Sequence, residues 1–67
     1  MNQIEWLESM NTLHGTVEIL YVVSGYQLTY TYHDRTIATI EGETLSEAID
    51  KAMNAGWSPK FHINDYR

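Results

Sequence analysis

The feature that most constrains this chain is a period-two alternation running from Thr16 to Glu41. Tyr26, Leu28, Tyr30 and Tyr32 alternate with Gln27, Thr29, Thr31 and His33. Successive side chains of a strand point to opposite faces, so such a segment is a half-buried strand. The segment before it alternates Val17, Ile19, Tyr21 and Val23 in the same way. Ser24-Gly25 separates the two and predicts a two-residue hairpin turn, with the glycine supplying a positive φ. That turn pairs Val23 with Tyr26, Tyr21 with Leu28, Ile19 with Tyr30 and Val17 with Tyr32, every pair on one face.

A third strand follows, and its register is set by which residues it delivers to the core. A two-residue Asp34-Arg35 turn places Tyr32 opposite Ile37 and Tyr30 opposite Thr39. A three-residue loop, His33-Asp34-Arg35, places Tyr30 opposite Ala38 and Leu28 opposite Ile40. A slip of one residue exchanges the faces. The three-residue loop is preferred because it adds Ala38 and Ile40 to the apolar face. It leaves Ile37 on the other face beside Leu20 and Val22, within a threonine-rich surface of Thr16, Glu18, Gln27, Thr29, Thr31 and Thr39.

Two helices flank this meander. Asn2 to His14 reads as the first, with Asn2 as N-cap, Glu5 completing a capping box and Gly15 as the stop. Trp6, Leu7, Met10 and Leu13 fall on one side of it. Three turns are marginal alone, so this helix must dock, either on the threonine-rich face or on an edge of the tyrosine face. The second helix starts at the capping box Thr44-Leu45-Ser46-Glu47. Leu45, Ala48, Ile49, Ala52 and Met53 form one apolar stripe, predicted to cover the tyrosine face. Gly56 ends it, Pro59 forbids a restart, and Trp57 folds back on the last turn. Beyond it Phe61 and Ile63 alternate with His62 and Asn64, a pattern that admits a short edge strand over 60–65.

The expected fold is therefore α+β: a short N-terminal helix, a three-stranded antiparallel meander, an amphipathic helix on one face and a short C-terminal strand. Sixty-seven residues allow a single domain, 1–67. A chain this short buries only roughly 60% of its unfolded surface, and a small core without staples often recruits a partner or a second copy, so a homo-oligomer is among the expectations. There is no cysteine, hence no disulfide framework and no thiolate metal site. With neither an 18-residue apolar run nor a signal-peptide pattern, no membrane association is expected and the cytoplasm is the expected location.

Charge narrows the function classes. The net charge is −5, and Glu5, Glu8, Glu18 and Asp34 precede the first cation, Arg35. Four Lys and Arg residues are too few for direct nucleic-acid binding, which depends on neutralising phosphates. The tyrosine face could in principle stack bases, but it shares its side with Val17, Ile19, Leu28 and Ile40 and reads as core. His14, His33 and His62 lie on three separate elements without ligand spacing, so no metal site and no cofactor are expected. His33, Asp34 and Thr36 are close in sequence but sit on a turn, which is no enclosed cleft, so no enzyme is expected either.

The remaining candidate is acidic. Glu43, Glu47 and Asp50 lie at i, i+4 and i+7, one face of a helix, and Glu5 and Glu8 repeat the spacing on the first helix. Carboxylates so placed resemble a row of phosphates presented to a basic groove. Helix-dipole complementarity and solubility account for the same residues more plainly. The alternative binding patch is Leu20, Val22 and Ile37 on the threonine-rich face.

Gly42-Glu43-Thr44-Leu45-Ser46-Glu47-Ala48-Ile49-Asp50-Lys51-Ala52 resembles the strand-to-helix junction of HicB-type antitoxins, a G-[DE]-T-x-x-E-A-x-x-x-A stretch after a three-stranded meander. The likeness covers 11 of the 67 residues, and that family's Pro-Asp-x-Pro-Gly segment is missing. It implies neutralisation of a small RNase toxin by direct binding. In size, charge and lack of an active site, the whole chain also resembles the small acidic inhibitors encoded by phages, such as anti-CRISPR proteins, which implies action in a host-cell cytoplasm. The expected function is thus a non-enzymatic acidic protein that blocks a basic, nucleic-acid-binding surface of a protein partner. A structural or oligomerisation module using the threonine-rich face, and an antitoxin, are the alternatives.

Overall fold

The computed structural model describes residues 2–59. The elements run α1 (Gln3–Met10), β1 (Gly15–Val22), β2 (Gly25–Tyr32), β3 (Arg35–Gly42) and α2 (Leu45–Asn54). The strands form one antiparallel sheet in the order β1-β2-β3, so the fold is α+β as the alternation requires. The edge strand expected over 60–65 lies outside the described residues.

Both helices lie on the tyrosine face. The core joins Trp6 and Met10 of α1, Leu28 and Tyr30 of β2, Ala48, Ile49 and Ala52 of α2, and Trp57. Leu28 and Tyr30 are fully buried beneath α2, as the face alignment predicts. Leu45 and Met53 complete the stripe at half burial. No helix of the described residues covers the threonine-rich face.

The first hairpin differs from expectation by a slide along the strands. Val23 and Ser24 form the turn, and the pairs are Val22–Gly25, Tyr21–Tyr26, Ile19–Leu28 and Val17–Tyr30. The shift moves each partner by two positions, so the faces are kept although the register changes. Gly25 has φ of +143°, but as the first residue of β2 and not inside the turn. It sits there because of crowding. A Cβ on Gly25 would run into the Gly42 carbonyl oxygen and lie 2.8 Å from Glu43 Cα.

The second hairpin keeps the core register preferred from the sequence but closes on a turn that matches neither loop weighed there, with Tyr32 facing Arg35. Tyr30 faces Ala38 and Leu28 faces Ile40, as the core demands. The loop, however, is the two-residue His33-Asp34, with φ of 52° and 63°, the positive values of a primed hairpin turn. Thr31 then faces Thr36, and the difference is absorbed by a bulge at Ile37. A bulge re-aims side chains. It turns Ile37 to the core side, where it packs half-buried against the cluster, not beside Leu20 and Val22 as expected.

α1 is shorter than the apolar spacing suggests. Its capping box is complete: the Glu5 amide donates to Asn2 Oδ1 at 2.8 Å and the Asn2 amide donates to Glu5 Oε1 at 3.2 Å. It stops at Met10 because Asn11 and Thr12 use their side chains locally. The Gly15 amide donates to Thr12 Oγ1 at 3.1 Å, and Thr16 Oγ1 donates to Asn11 Oδ1 at 2.7 Å. Such bonds compete with helix continuation. Leu13 is left outside the helix, 90% exposed, and Gly15 opens β1 instead of ending α1.

α2 has half of its expected box. The Glu47 amide donates to Thr44 Oγ1 at 3.1 Å, but the Glu47 carboxylate turns to Lys51, 3.3 Å away. At the other end Gly56 donates to the Met53 carbonyl and Trp57 to the Ala52 carbonyl, both at 3.1 Å. This is the doubled bond pattern of a Schellman stop, with Gly56 at φ +87°. It delivers Trp57 into the core, where the Trp6 indole N–H donates to its carbonyl at 3.0 Å.

Two outcomes follow for stability. Leu28→Ala is expected to cost about 2–5 kcal/mol, measured by urea unfolding, enough to remove most of the stability of a domain this size. Gly42→Ala and Gly56→Ala should separate steric from conformational cost. A Cβ at Gly42 lies 2.5 Å from the Ala48 amide nitrogen, whereas one at Gly56 meets nothing within 4 Å. The first substitution should therefore cost roughly 1–3 kcal/mol or more through overpacking. The second costs only its left-handed backbone, about 1 kcal/mol.

Candidate functional site

The two helices form one layer, and that layer carries the acidic residues predicted from sequence. Its joint is Gln3. Gln3 Nε2 donates from α1 toward α2, 2.9 Å from Ser46 Oγ, 3.0 Å from the Ser46 carbonyl and 2.9 Å from Asp50 Oδ1. This brings the N-terminal turn of α1 beside the middle of α2. Glu5, Glu8, Glu43, Glu47 and Asp50 are all exposed.

The five carboxylates are not equivalent. Glu5 closes its own capping box, Glu47 is paired with Lys51, and Asp50 accepts from Gln3. Glu8 and Glu43 have no side-chain partner among the described residues. Arg35 and Lys51 are the only cations in residues 2–59, and Arg35 lies at the far hairpin. Lys51 is held in place twice, since its Nζ also donates to the Glu41 carbonyl at 3.1 Å.

One hollow of about 210 Å³ opens on this side, lined by Ser24, Glu41, Gly42, Glu43, Glu47 and Lys51. Glu41 is a member the helical spacing could not reveal, because it belongs to β3. It arrives there through the close approach of Gly25, Gly42 and Ala48. The hollow is shallow and charged.

The alternative patch is divided by the fold. Leu20, 45% exposed, and Val22 stay together on the uncovered face of β1. Ile37 lies two strands away and packs toward the core.

The fold also brings together two residues that the sequence separates. The His33 amide donates to the His14 carbonyl at 2.9 Å. The two imidazoles stack with centroids 4.5 Å apart, and Tyr32 meets both rings edge-on. The pairing of β1 with β2 produces this contact, so ligand spacing along the chain could not have shown it. No group of three or more His, Asp or Glu among the described residues could hold a metal ion. His62 lies outside those residues. At the opposite end of the sheet the Tyr21 and Tyr26 rings lie with centroids 5.0 Å apart, tilted by 43°. A hydrogen bond with Tyr21, and then the Tyr21 charge, raise the Tyr26 pKa above the usual tyrosine value.

No helix of the described residues is long and apolar enough to cross a membrane. No protein-family model, curated protein or solved structure matches the chain.

Gln3→Ala is the test of the joint. It should leave the sheet intact and loosen α1, lowering stability by about 1 kcal/mol and increasing amide exchange in residues 3–10 ahead of β2.

Proposed function

We propose that the protein is a non-catalytic binding protein whose acidic helix layer occupies a basic, nucleic-acid-binding surface of a protein partner. The observation that carries this reading is the shared layer. Glu5 and Glu8 of α1 lie on the same side of the sheet as Glu47 and Asp50 of α2 and as Glu43, which sits just ahead of the Thr44 cap and not on the helix as its spacing suggested, with Lys51 the only cation beside them among the described residues. Exposed charges interact over about 8–10 Å at physiological salt. Carboxylates on one layer therefore act together on an approaching basic groove, and their main effect is on the encounter rate. The phage-inhibitor likeness in size and charge agrees with this reading.

A second reading rests on a different surface. The sheet face opposite the helices is uncovered among the described residues and carries Leu20 and Val22 within a threonine-rich surround. An interaction module would use that face.

The two separate cleanly. Partners captured from a host lysate on the immobilised protein should elute as salt is raised, and short duplex DNA or RNA should compete with the protein for them. Glu8→Lys and Glu43→Lys, which break no described bond, should slow association severalfold while leaving the melting temperature within about 2 °C. Capture that withstands salt and both reversals, but fails on Leu20→Lys, would reject the acidic reading in favour of the sheet face.

A further inference from the structure

We propose that β1 is the interface of a homodimer, in which the edge strands of two copies pair antiparallel about a two-fold axis at Tyr21.

The phase of the ladder shows what the edge offers. In an antiparallel pair, directly opposed residues alternate between exchanging both hydrogen bonds and exchanging none. The bond from the His33 amide to the His14 carbonyl makes His14–His33 a bonded pair. Thr16, Glu18, Leu20 and Val22 therefore turn their amides and carbonyls toward β2. Val17, Ile19 and Tyr21 turn theirs outward, at the open edge. Thr12 satisfies the outward groups of Gly15, accepting from its amide at 3.1 Å and donating to its carbonyl at 2.8 Å. Beyond Gly15 no described residue pairs with the edge backbone.

Side-chain exposure rises along the same strand and into its turn. Val17 is half-buried, Ile19 is 46% exposed, Tyr21 85% and Val23 fully exposed, with Leu20 at 45% on the other face. The run Ile19-Leu20-Tyr21-Val22-Val23 is β-prone and carries no charge, proline or glycine. Edge strands are ordinarily blunted by lysine, proline, inward charge or a bulge. The opposite edge, β3, has such protection in its bulge at Ile37, its threonines and Arg35 and Glu41. β1 has none over these five residues.

The occupant that fits is a second copy. Centring the pair on Tyr21 sets Leu20 against Val22 within the strands and brings Ile19 beside Val23 at the start of the other copy's turn, so the apolar run meets itself on both faces. It also sets Tyr21, whose amide and carbonyl point outward, against its own copy as a bonded pair, as a ladder requires. Glu18 falls opposite Ser24, and the two Glu18 residues stand about 20 Å apart at roughly 3.3 Å per residue. The edge is thus a place where two chains of net charge −5 meet without opposing carboxylates. A charged partner strand finds no counter-charge here. The product is a six-stranded sheet, with both helix layers on one side because the axis is perpendicular to the sheet.

The experiment is sedimentation equilibrium of the full chain, with single-cysteine crosslinking. The absence of native cysteine makes the crosslink readout clean. The mass should reach twice the 7.8 kDa of one chain. Association should strengthen from about 50 mM to about 500 mM salt as like charges are screened, the reverse of the salt response of the acidic layer. Opposed Tyr21 Cα atoms in a bonded pair lie about 5.5 Å apart, within disulfide reach. Tyr21→Cys should therefore oxidise to a covalent dimer, and Glu18→Cys should not. Val23→Lys should return the chain to single mass with its circular dichroism unchanged. A single-chain mass at millimolar concentration overturns the proposal, as does Glu18→Cys crosslinking as readily as Tyr21→Cys.

Discussion

The structure depends on one close approach, where Gly25, Gly42 and Ala48 leave almost no side chain between three segments. The start of β2, the end of β3 and the first turn of α2 meet there backbone to backbone. That contact sets the height of α2 above the sheet, and the height decides whether Leu28 and Tyr30 are sealed. With eight described residues in the buried cluster, a gap of even one methylene is felt. The same approach places Glu41 beside Glu43 and Glu47, so the acidic hollow is a by-product of the packing that closes the core.

The strands, their faces and α2 were legible in the sequence because each rests on a local rule: period two, a capped stripe and a glycine stop. The Leu28–Ile40 and Tyr30–Ala38 register was legible for the same reason, since only it fills the core. What was not legible came from contacts between distant segments. The Ser24-Gly25 turn is a sound local reading, yet Gly25 answers to Gly42 and Glu43, so the turn moves back to Val23-Ser24. The body of the third strand and its loop were both constrained, and a bulge at Ile37 reconciles them, which no pattern of letters marks. The end of α1 was overestimated because apolar spacing continues to Leu13 while Asn11 and Thr12 already bond the chain into a turn. The five carboxylates were picked out by helical spacing, which holds for Glu47 and Asp50 on α2 and for Glu5 and Glu8 on α1 but not for Glu43, which precedes the Thr44 cap. Glu41, the Gln3 joint and the His14–His33 stack depend on tertiary placement.

The surfaces divide by physical type. The helix layer is charged and long-ranged, suited to attracting a partner of opposite sign. The threonine face is polar and short-ranged. The β1 edge is directional, because an unpaired ladder accepts only another strand.

The bond between Trp6 and Trp57 joins residues 51 positions apart. The meander and α2 are built from near neighbours, whereas α1 has its binding site completed only when Trp57 arrives. During synthesis α1, made before the other described elements, is therefore the last of them to find its place. Its Trp6 and Met10 remain open to chaperones or to premature contacts until the chain has run nearly its whole described length.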